Sequence, residues 1–376
     1  MMRNKYFFLL TLLIGLFFSS CVKDEALNTE ADIITAKIPD NLTKLPVEIE
    51  NDFITFYVNS NADITQLAPE FTLTEGATID PSSGTVRDFT NPQFYTVTSQ
   101  DRAYSKTYKI SFYTAEISSK FSFENTRVFS NGGFYEWIEI DGDKEARIWD
   151  SGNAGFYLSF LTDPQNRPDK DHMITTIEPQ GKIGQGIRLE TQKTGKMGQA
   201  FAAIAAGNFF TGKFETNITK PEESPRFGTN WEKAPTKLIG YFKYKKGDSF
   251  EINSKDGQSN LTEDTFDIYA IFFRKDSAND YLKATHGFRF IDNPQDDPRI
   301  LSYARIKPED RIETAQWTYF ELPFITIAGR NYDPTAEYML AIVLTSSLEG
   351  DKYNGAIGSR LSIDEIEVLT DQEVNN

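Results

Sequence analysis

The stretch FDIYAIFF at residues 266–273 decides the fold of most of this chain. It is short, almost wholly aromatic or aliphatic, and therefore typical of a β-strand. YMLAIVL at 338–344 and LIGYFKY at 238–244 have the same character, and loops rich in Asp, Pro and Asn separate such runs, as at 163–171. We therefore predict that residues 118–372 form an all-β domain, a large antiparallel sandwich of the jelly-roll type.

Three further features of this domain can be predicted. FYLSF at 156–160 is expected to be another strand, and only residues 198–207 are expected to contain a short helix. The last strand covers 361–368. Its alternation of apolar and polar residues breaks between Asp364 and Glu365, which indicates a β-bulge.

A smaller β-sandwich is predicted for residues 32–115. FITFYV at 53–58 is a strand by composition, and DPSSG at 80–84 is a strong turn signal. FYTVT at 94–98 and KTYKISF at 106–112 make a hairpin. Closely spaced short strands of this kind indicate a β-sandwich without indicating any chemistry.

The phrase YTVTSQD at 95–101, followed by TYKI at 107–110, carries a resemblance to a known kind of domain. It resembles the immunoglobulin-like N-terminal domains of Bacteroidetes surface lipoproteins. The resemblance implies an immunoglobulin-like β-sandwich that serves as a spacer or an interaction module.

The N-terminus predicts export. Arg3 and Lys5 precede an apolar run at 6–18 that is too short to span a bilayer comfortably, and Cys21 follows directly after it. Residues 1–20 are therefore expected to be a signal peptide. The alternative for the cysteine is a buried free thiol behind an ordinary signal peptide.

The same segment resembles a bacterial lipoprotein signal, in which Cys21 becomes the lipidated first residue. VKDE at 22–25 resembles the acidic signal that sends Bacteroidetes lipoproteins to the cell surface, although it also suits a plain polar tether. The resemblance implies a lipidated tether at 21–31 and a protein anchored by lipid to the outer membrane, at the cell surface.

Composition and charge exclude several classes of protein. With 14% aromatic and 25% charged residues the chain is not generally disordered, and one Cys with two His excludes a disulfide framework and a zinc-based design. The chain has 39 basic and 55 acidic residues; without Arg3 and Lys5 the basic count is 37 and the balance is −18. Such a surface repels polyanions, so nucleic acid is not an expected partner, and a glycan fits better.

Four phrases in order carry a more specific resemblance: WDSGNAGF at 149–156, IRLET at 187–191, IAAGNFFTG at 204–212 and LIGYFKYKKG at 238–247. Together they resemble the "putative carbohydrate metabolism domain" of Bacteroidetes lipoproteins. The resemblance implies a jelly-roll-like fold at 118–372 and a role in glycan use. Some members are described as putative glycoside hydrolases, but the resemblance supplies no catalytic residues.

Exposed aromatic rings are the usual means of holding a sugar, because its C–H faces stack on them. Trp231 is the first candidate, since FGTNWE at 227–232 looks like a loop; a core position is an equal alternative. Trp149 with Asp150 and Asn153 is the second candidate. Tyr135 completes the predicted carbohydrate-binding set. Trp137 and Trp317, in strand-like runs, are expected to lie in the core.

Acidic residues offer the alternative of hydrolysis by two carboxyl groups. The acids that cluster near Tyr135, Trp137 and Trp149 are Glu136, Glu139, Asp141, Asp143 and Asp150. A solvated acidic hairpin is the preferred interpretation, so the catalytic residues stay unassigned.

Calcium is the cofactor that the fold allows. Jelly-roll carbohydrate-binding modules often hold a structural calcium ion between their first and last strands. That resemblance makes Glu124 and Asp364 candidate ligands, since hard cations take oxygen ligands. No other cofactor is expected.

The leading hypothesis is a surface lipoprotein that binds or helps process glycans by stacking and hydrogen bonding. The alternatives are a glycoside hydrolase with paired carboxylates and a structural or adhesion protein of the envelope. The expected partners are a glycan and proteins of an envelope or glycan-uptake complex.

Overall fold

We describe the protein from a computed structural model. The described residues are 27–49, 51–58, 62–113, 119–129, 133–141, 144–200, 202–253, 258–276, 281–283 and 290–370. They form β-strands almost throughout, with one α-helix among them. The same residues contain no helix long and apolar enough to cross a membrane.

The N-terminal unit has two sheets. Its strands are β1 (Ile33–Lys37), β2 (Thr43–Ile49), β3 (Phe53–Val58), β4 (Glu70–Leu73), β5 (Thr78–Asp80), β6 (Gln93–Thr98) and β7 (Ser105–Tyr113). One sheet has the order β2-β3-β7-β6-β5, and the other pairs β1 with β4. β3 runs parallel to β7, whereas β6 and β7 form the predicted antiparallel hairpin. The core between the sheets includes Phe56, Phe89, Tyr95 and Phe112.

The larger unit contains the remaining elements. Its first strands are β8 (Lys120–Phe121), β9 (Thr126–Val128), β10 (Tyr135–Trp137), β11 (Glu139–Asp141), β12 (Lys144–Ala146) and β13 (Trp149–Ser151), followed by helix α1 (Asn153–Ser159). Then come β14 (Thr175–Glu178), β15 (Gly186–Glu190), β16 (Gln192–Lys193), β17 (Ile204–Ala205), β18 (Asn208–Phe214), β19 (Pro225–Phe227), β20 (Thr229–Asn230), β21 (Pro235–Lys245) and β22 (Phe250–Glu251). The last are β23 (Asp267–Arg274), β24 (Leu282–Lys283), β25 (Ile300–Arg305), β26 (Thr314–Pro323), β27 (Ile325–Thr326), β28 (Tyr338–Thr345), β29 (Gly355–Ala356) and β30 (Arg360–Thr370).

Short 3-10 helices interrupt the connections. They lie at Asp40–Leu42, Pro164–Asn166, Lys170–His172, Gly198–Ala200, Pro221–Glu223, Pro294–Asp296, Pro308–Asp310 and Gly350–Lys352. Four of them begin with proline, whose fixed φ suits the first helical position.

Two large sheets pack face to face in this unit. The six-stranded sheet has the order β14-β15-β30-β21-β26, with β8 on β30. The nine-stranded sheet has the order β24-β19-β18-β28-β23-β25-β27, with β13 on β18 and β20 on β28. One apolar core joins them, with Phe242 and Ile363 from the first sheet and Phe209, Phe272 and Ile342 from the second. The predicted all-β sandwich fold is confirmed.

β23 and β28 at the centre of the nine-stranded sheet are buried on both faces, since seven of the eight residues in each strand are buried. One face packs in the sandwich core. The other, which we call the outer face, carries a second apolar cluster that includes Phe210, Tyr269, Ile271 and Val343. Burial on both faces explains why these strands read as continuous apolar runs without alternation.

One secondary-structure prediction is wrong, that of a strand at 156–160, whereas the short helix predicted within 198–207 is confirmed as the 3-10 helix Gly198–Ala200. Residues 156–160 lie in and after helix α1, because Phe156 and Phe160 are spaced by four residues and pack together against Met173 and Ile174. In residues 198–207 a 3-10 helix gives way to strand β17.

The predicted bulge in the last strand is confirmed. The register of β30 against β21 shifts between the pair Ile239–Glu367 and the pair Tyr241–Asp364. Glu365 is the extra residue of the bulge, and its φ of 51° lies in the left-handed region.

A buried charged network joins the two units. Arg147 binds Glu136 and Asp150 of the larger unit and lies 3.6 Å from Glu48 of β2. The hydroxyl of Tyr57 donates to Glu48 at 2.6 Å and accepts the Arg147 backbone N–H at 3.1 Å. We call Arg147, Glu48, Glu136 and Asp150 the junction network.

Candidate functional site

A pocket lies on the outer face of the nine-stranded sheet, and we call it the aromatic pocket. Its floor is a row of side chains from three neighbouring strands, Phe210 of β18, Val343 of β28 and Tyr269 of β23. The strand register places Val343 directly between the other two. Phe210, Val343 and Tyr269 are only 1%, 6% and 7% exposed, so the sheet supplies an apolar floor of which small parts reach the cavity.

Aromatic and loop residues form the walls. Phe214, Phe227 and Phe290 stand around the floor, and the rings of Phe227 and Phe210 meet edge to face at 4.9 Å. The cavity has a volume of about 270 Å³. This is close to the lower limit for small-molecule sites, about 300 Å³, so the pocket suits one ring rather than a long chain.

The loop at one rim is ordered by its own polar groups. The side-chain oxygen of Asn217 accepts the backbone N–H groups of Thr219 and Lys220 at 3.1 and 3.0 Å. The hydroxyl of Ser224 accepts the Asn217 N–H at 2.9 Å. These bonds present Ile218, which is 60% exposed, at the edge of the pocket.

Polar groups also line the aromatic pocket and can bond to ligand hydroxyls. They include Asn217, Glu222, Thr345 and Tyr353; Asp351 also lines the cavity, but both of its carboxylate oxygens are buried. An apolar floor with a few polar groups at its walls is the usual design of a site that binds a small ligand without reacting with it.

The two tryptophans predicted to bind sugar lie in the sandwich core. Trp231 is 7% exposed and Trp149 is 2% exposed, so neither ring presents a face to a ligand. Trp149 stacks on Phe209 at 4.8 Å, and the backbone N–H of Trp231 bonds to the Tyr338 carbonyl. The predicted loop before Trp231 is instead strand β19, Gly228 and strand β20, and the core position, the alternative given for this residue, is the one that the structure shows.

Asp150 and Asn153 lie behind the aromatic pocket. Asp150 accepts the backbone N–H of Phe214 at 2.7 Å and so holds one wall of the pocket. Burial raises the pKa of Asp150, and the Arg147 guanidinium opposes that shift. Asn153 is fully buried and exchanges two hydrogen bonds with the backbone of Thr175. Both side chains support the fold at this place and do not face a ligand.

Tyr135 lies at the surface, away from the aromatic pocket. Its hydroxyl donates to Asp171 at 2.7 Å and accepts from the Lys170 ammonium at 2.6 Å. Hydrogen bonds from Lys170 and Tyr135 hold the pKa of Asp171 below its ordinary value. The ring of Tyr135 also lies under the Lys170 ammonium at 4.8 Å.

The structure brings two acids of the predicted cluster together on one arginine. Glu136 is buried and bound by Arg127 and Arg147, and Asp150 is bound by the same Arg147. Burial raises the pKa of Glu139. Asp143 and the side chain of Asp141 lie outside the described residues. Glu136 and Asp150 therefore neutralise a buried arginine.

The two predicted calcium ligands face the same loop. Asp364 is fully buried and accepts the backbone N–H groups of Lys182, Ile183 and Glu365 at 2.6, 3.0 and 2.8 Å. Glu124 accepts the N–H of Gln185 at 3.2 Å. N–H donors occupy oxygens that a cation would need, and the described residues hold no group of three His, Cys, Asp or Glu placed for a metal. Calcium at this loop stays a prediction.

Cys21, the predicted lipidation site, lies outside the described residues, as does His286. His172 is exposed, with its Nδ1 2.6 Å from Asp169.

The sequence contained a signal for the aromatic pocket. Continuous apolar strands such as 266–273 must be covered on both faces, so the second face needed loops to cover it. Trp137 is buried as predicted, at 3% exposure. The core prediction for Trp317 is wrong. It lies half-buried on the solvent side of β26, under the Lys243 ammonium, on the face opposite to the buried Phe320.

Comparisons with known proteins agree with this architecture. A family model described as "Putative carbohydrate metabolism domain" matches residues 122–369, and one described as "SGBP, N-terminal" matches residues 33–111. None of the curated protein sequences matches the chain significantly.

Two crystal structures are similar over most of their length. One, described as a putative glycoside hydrolase from Bacteroides thetaiotaomicron, is 39% identical, with 93% of this chain and 99% of that chain covered and a TM-score of 0.78. The other, described as a putative glycoside hydrolase from Bacteroides vulgatus, is 33% identical, with 68% and 99% covered and a TM-score of 0.58. The family model covers well over half of the chain, and the chain therefore belongs to the family of the "putative carbohydrate metabolism domain".

Proposed function

We propose that this protein binds glycans at the cell surface, holding one sugar ring in the aromatic pocket without covalent chemistry. The observation that carries the proposal is the cavity itself, in which the half-buried rings of Phe214, Phe227 and Phe290 surround a buried apolar floor and polar groups line the walls. Membership of a carbohydrate-related family supports a sugar as the ligand. The proposal includes a lipid anchor at Cys21 in the outer membrane.

The N-terminal unit fits the same role. Its match to an SGBP N-terminal domain, a domain of surface glycan-binding proteins, supports a position at the cell surface. The unit is a small β-sandwich, and the junction network attaches it to the larger unit. It would act as a spacer between the lipid anchor and the aromatic pocket and offer a surface to envelope or uptake partners.

Affinity electrophoresis tests the binding site. Retardation of the protein in gels that contain dextran, xylan, pectin or mannan identifies a ligand. Ile218→Ala removes an exposed side chain at the pocket rim, and we expect binding to weaken about fivefold, since one apolar contact is worth roughly 1 kcal/mol. Ile183→Ala is the matched control, because Ile183 is 61% exposed and lies elsewhere.

A second variant fills the pocket. Val343→Phe places a ring on the floor, and we expect it to abolish retardation; an unchanged melting temperature shows that the fold is intact. Equal retardation of wild type, Ile218→Ala and Val343→Phe would refute the aromatic pocket as the binding site.

A second candidate function is glycoside hydrolysis. Two carboxylic acids, Glu222 and Asp351, line the aromatic pocket, and hydrolysis needs two. The two similar crystal structures are described as putative glycoside hydrolases. New reducing ends released from a retarding glycan by wild type, and lost in both Glu222→Gln and Asp351→Asn, would establish turnover. Retardation without release supports binding alone.

A further inference from the structure

A second cavity opens beside the aromatic pocket, and its lining is charged. Its volume is about 700 Å³. We call it the basic cleft. Its charged lining residues are Asp163, Arg188, Glu190, Lys193, Lys196 and Arg360.

Positive charge exceeds negative charge in the basic cleft. Arg360 is paired with Glu190 at 2.8 Å. Arg188 donates to a backbone carbonyl, that of Asp171, at 2.6 Å. Among the described residues, no carboxylate lies within ion-pair distance of Arg188, Lys193 or Lys196.

One carboxylate offsets part of that charge. Asp163 is 4% exposed and accepts the backbone N–H of Lys196 at 3.1 Å. Asp163 supplies one negative charge against the three positive charges of Arg188, Lys193 and Lys196. The cleft therefore keeps an excess of about two positive charges. The whole chain has a net charge of −16, which makes this excess a local exception.

The basic cleft and the aromatic pocket share a wall. Thr194 lines both cavities, while Ser159 lines the aromatic pocket and Phe160 the cleft. The wall is fixed by hydrogen bonds from Thr194 to the Ala202 carbonyl at 2.6 Å and from the Gly195 N–H to the Ser159 hydroxyl at 3.0 Å. The two cavities are therefore direct neighbours in the structure.

We infer that the basic cleft binds the anionic group of an acidic glycan, a uronic acid carboxylate or a sulfate ester. Arginine and lysine bind such oxyanions by charge-assisted hydrogen bonds. The acidic surface elsewhere repels polyanions, so attraction is confined to this cleft and selects where the glycan docks. The inference rests on the proposed function in one respect, namely that a neighbouring ring of the same glycan occupies the aromatic pocket.

Affinity electrophoresis with paired probes tests the charge requirement. Dextran sulfate is compared with dextran, and polygalacturonate supplies carboxylates; polyglutamate supplies carboxylates without sugar. We expect at least one acidic glycan to retard the protein more than dextran and polyglutamate do.

Lys193→Glu/Lys196→Glu reverses the two exposed charges of the cleft. We expect it to weaken acidic-glycan binding at least about tenfold, since each basic group facing an anion contributes roughly fivefold. Lys233→Glu/Lys307→Glu is the control, because both lysines are exposed elsewhere and the change in net charge is identical. The control should bind within about twofold of wild type, and both double variants should keep the wild-type melting temperature.

Three results would overturn the inference: no retardation by either acidic glycan, equal retardation by polyglutamate, or equal loss in both double variants. The two proposals can fail separately. Loss of binding in Val343→Phe with full binding in Lys193→Glu/Lys196→Glu would support the aromatic pocket as a binding site and refute the basic cleft. Full binding in Val343→Phe with loss of binding in Lys193→Glu/Lys196→Glu would support the basic cleft as a binding site and refute the aromatic pocket.

Discussion

Arg147→Met is the perturbation that most strongly tests the packing between the two units. Arg147 is 16% exposed and is the shared cation of Glu48, Glu136 and Asp150, whose side chains are 8%, 5% and 14% exposed. Arg127 still binds Glu136 at 2.9 Å in the variant, but Glu48 and Asp150 keep only hydrogen bonds. Removing one partner of a buried ion pair costs about 3–5 kcal/mol, and we expect the free energy of unfolding to fall by that amount.

Urea denaturation at pH 7 measures the loss. Arg360→Met is the matched control, because Arg360 is 48% exposed in its pair with Glu190, and exposed pairs contribute less than about 1 kcal/mol. A loss below about 1 kcal/mol for Arg147→Met would refute the junction network as a buried, mutually dependent group.

The pH dependence of the same variant gives an independent check. Burial raises the pKa of Asp150 and the Arg147 guanidinium opposes that shift, so without Arg147 the pKa of Asp150 rises further in the folded state. A raised folded pKa means that protonation favours the folded state, and the deficit should shrink as the pH falls from about 7 towards 4. A deficit that is constant over this range would contradict the electrostatic explanation.

Three further predictions concern single residues. Phe209→Ala removes the ring that stacks on Trp149 and should lower the free energy of unfolding by about 3–5 kcal/mol in urea; a loss below about 1 kcal/mol would contradict its central place in the core. Burial raises the pKa of Asp364 to about 6, so this residue should lower the free energy of unfolding of wild type as the pH rises from about 4 to 6. Asp364→Asn should lack this decrease, and parallel pH profiles of stability for the two proteins would contradict the prediction. Tyr57→Phe leaves the buried Glu48 without its 2.6 Å donor and should cost about 1–3 kcal/mol, measured by thermal denaturation against wild type; no change would show that the bond is dispensable.

Strand content could be predicted from the sequence because β-branched and aromatic residues are concentrated in short runs. The strand at 53–58 and the bulge between Asp364 and Glu365 are local features, and both were predictable from a few neighbouring residues. Helix α1 was not, because it is only seven residues long and its apolar spacing also suits a strand.

The position of a tryptophan relative to the core could not be predicted in the same way. Trp231 follows the short strands β19 and β20 and lies in the core, whereas Trp317 lies in a strand but points outward. Burial of these rings depends on which sheet face meets the second sheet, a property of strand pairing across distant parts of the chain. The floor of the aromatic pocket could not be predicted for the same reason, since it depends on the pairing of β18, β28 and β23, which brings together residues 210, 343 and 269.

A crystal structure of the protein with an oligosaccharide from a glycan that retards it would decide whether the aromatic pocket holds the sugar. We predict one sugar ring in the aromatic pocket, in contact with at least one of the half-buried rings of Phe214, Phe227 and Phe290, with hydroxyl groups directed to the polar walls of the pocket. A ring bound elsewhere, such as on the exposed Tyr319 of the six-stranded sheet, with the aromatic pocket free of sugar, would contradict the proposed function.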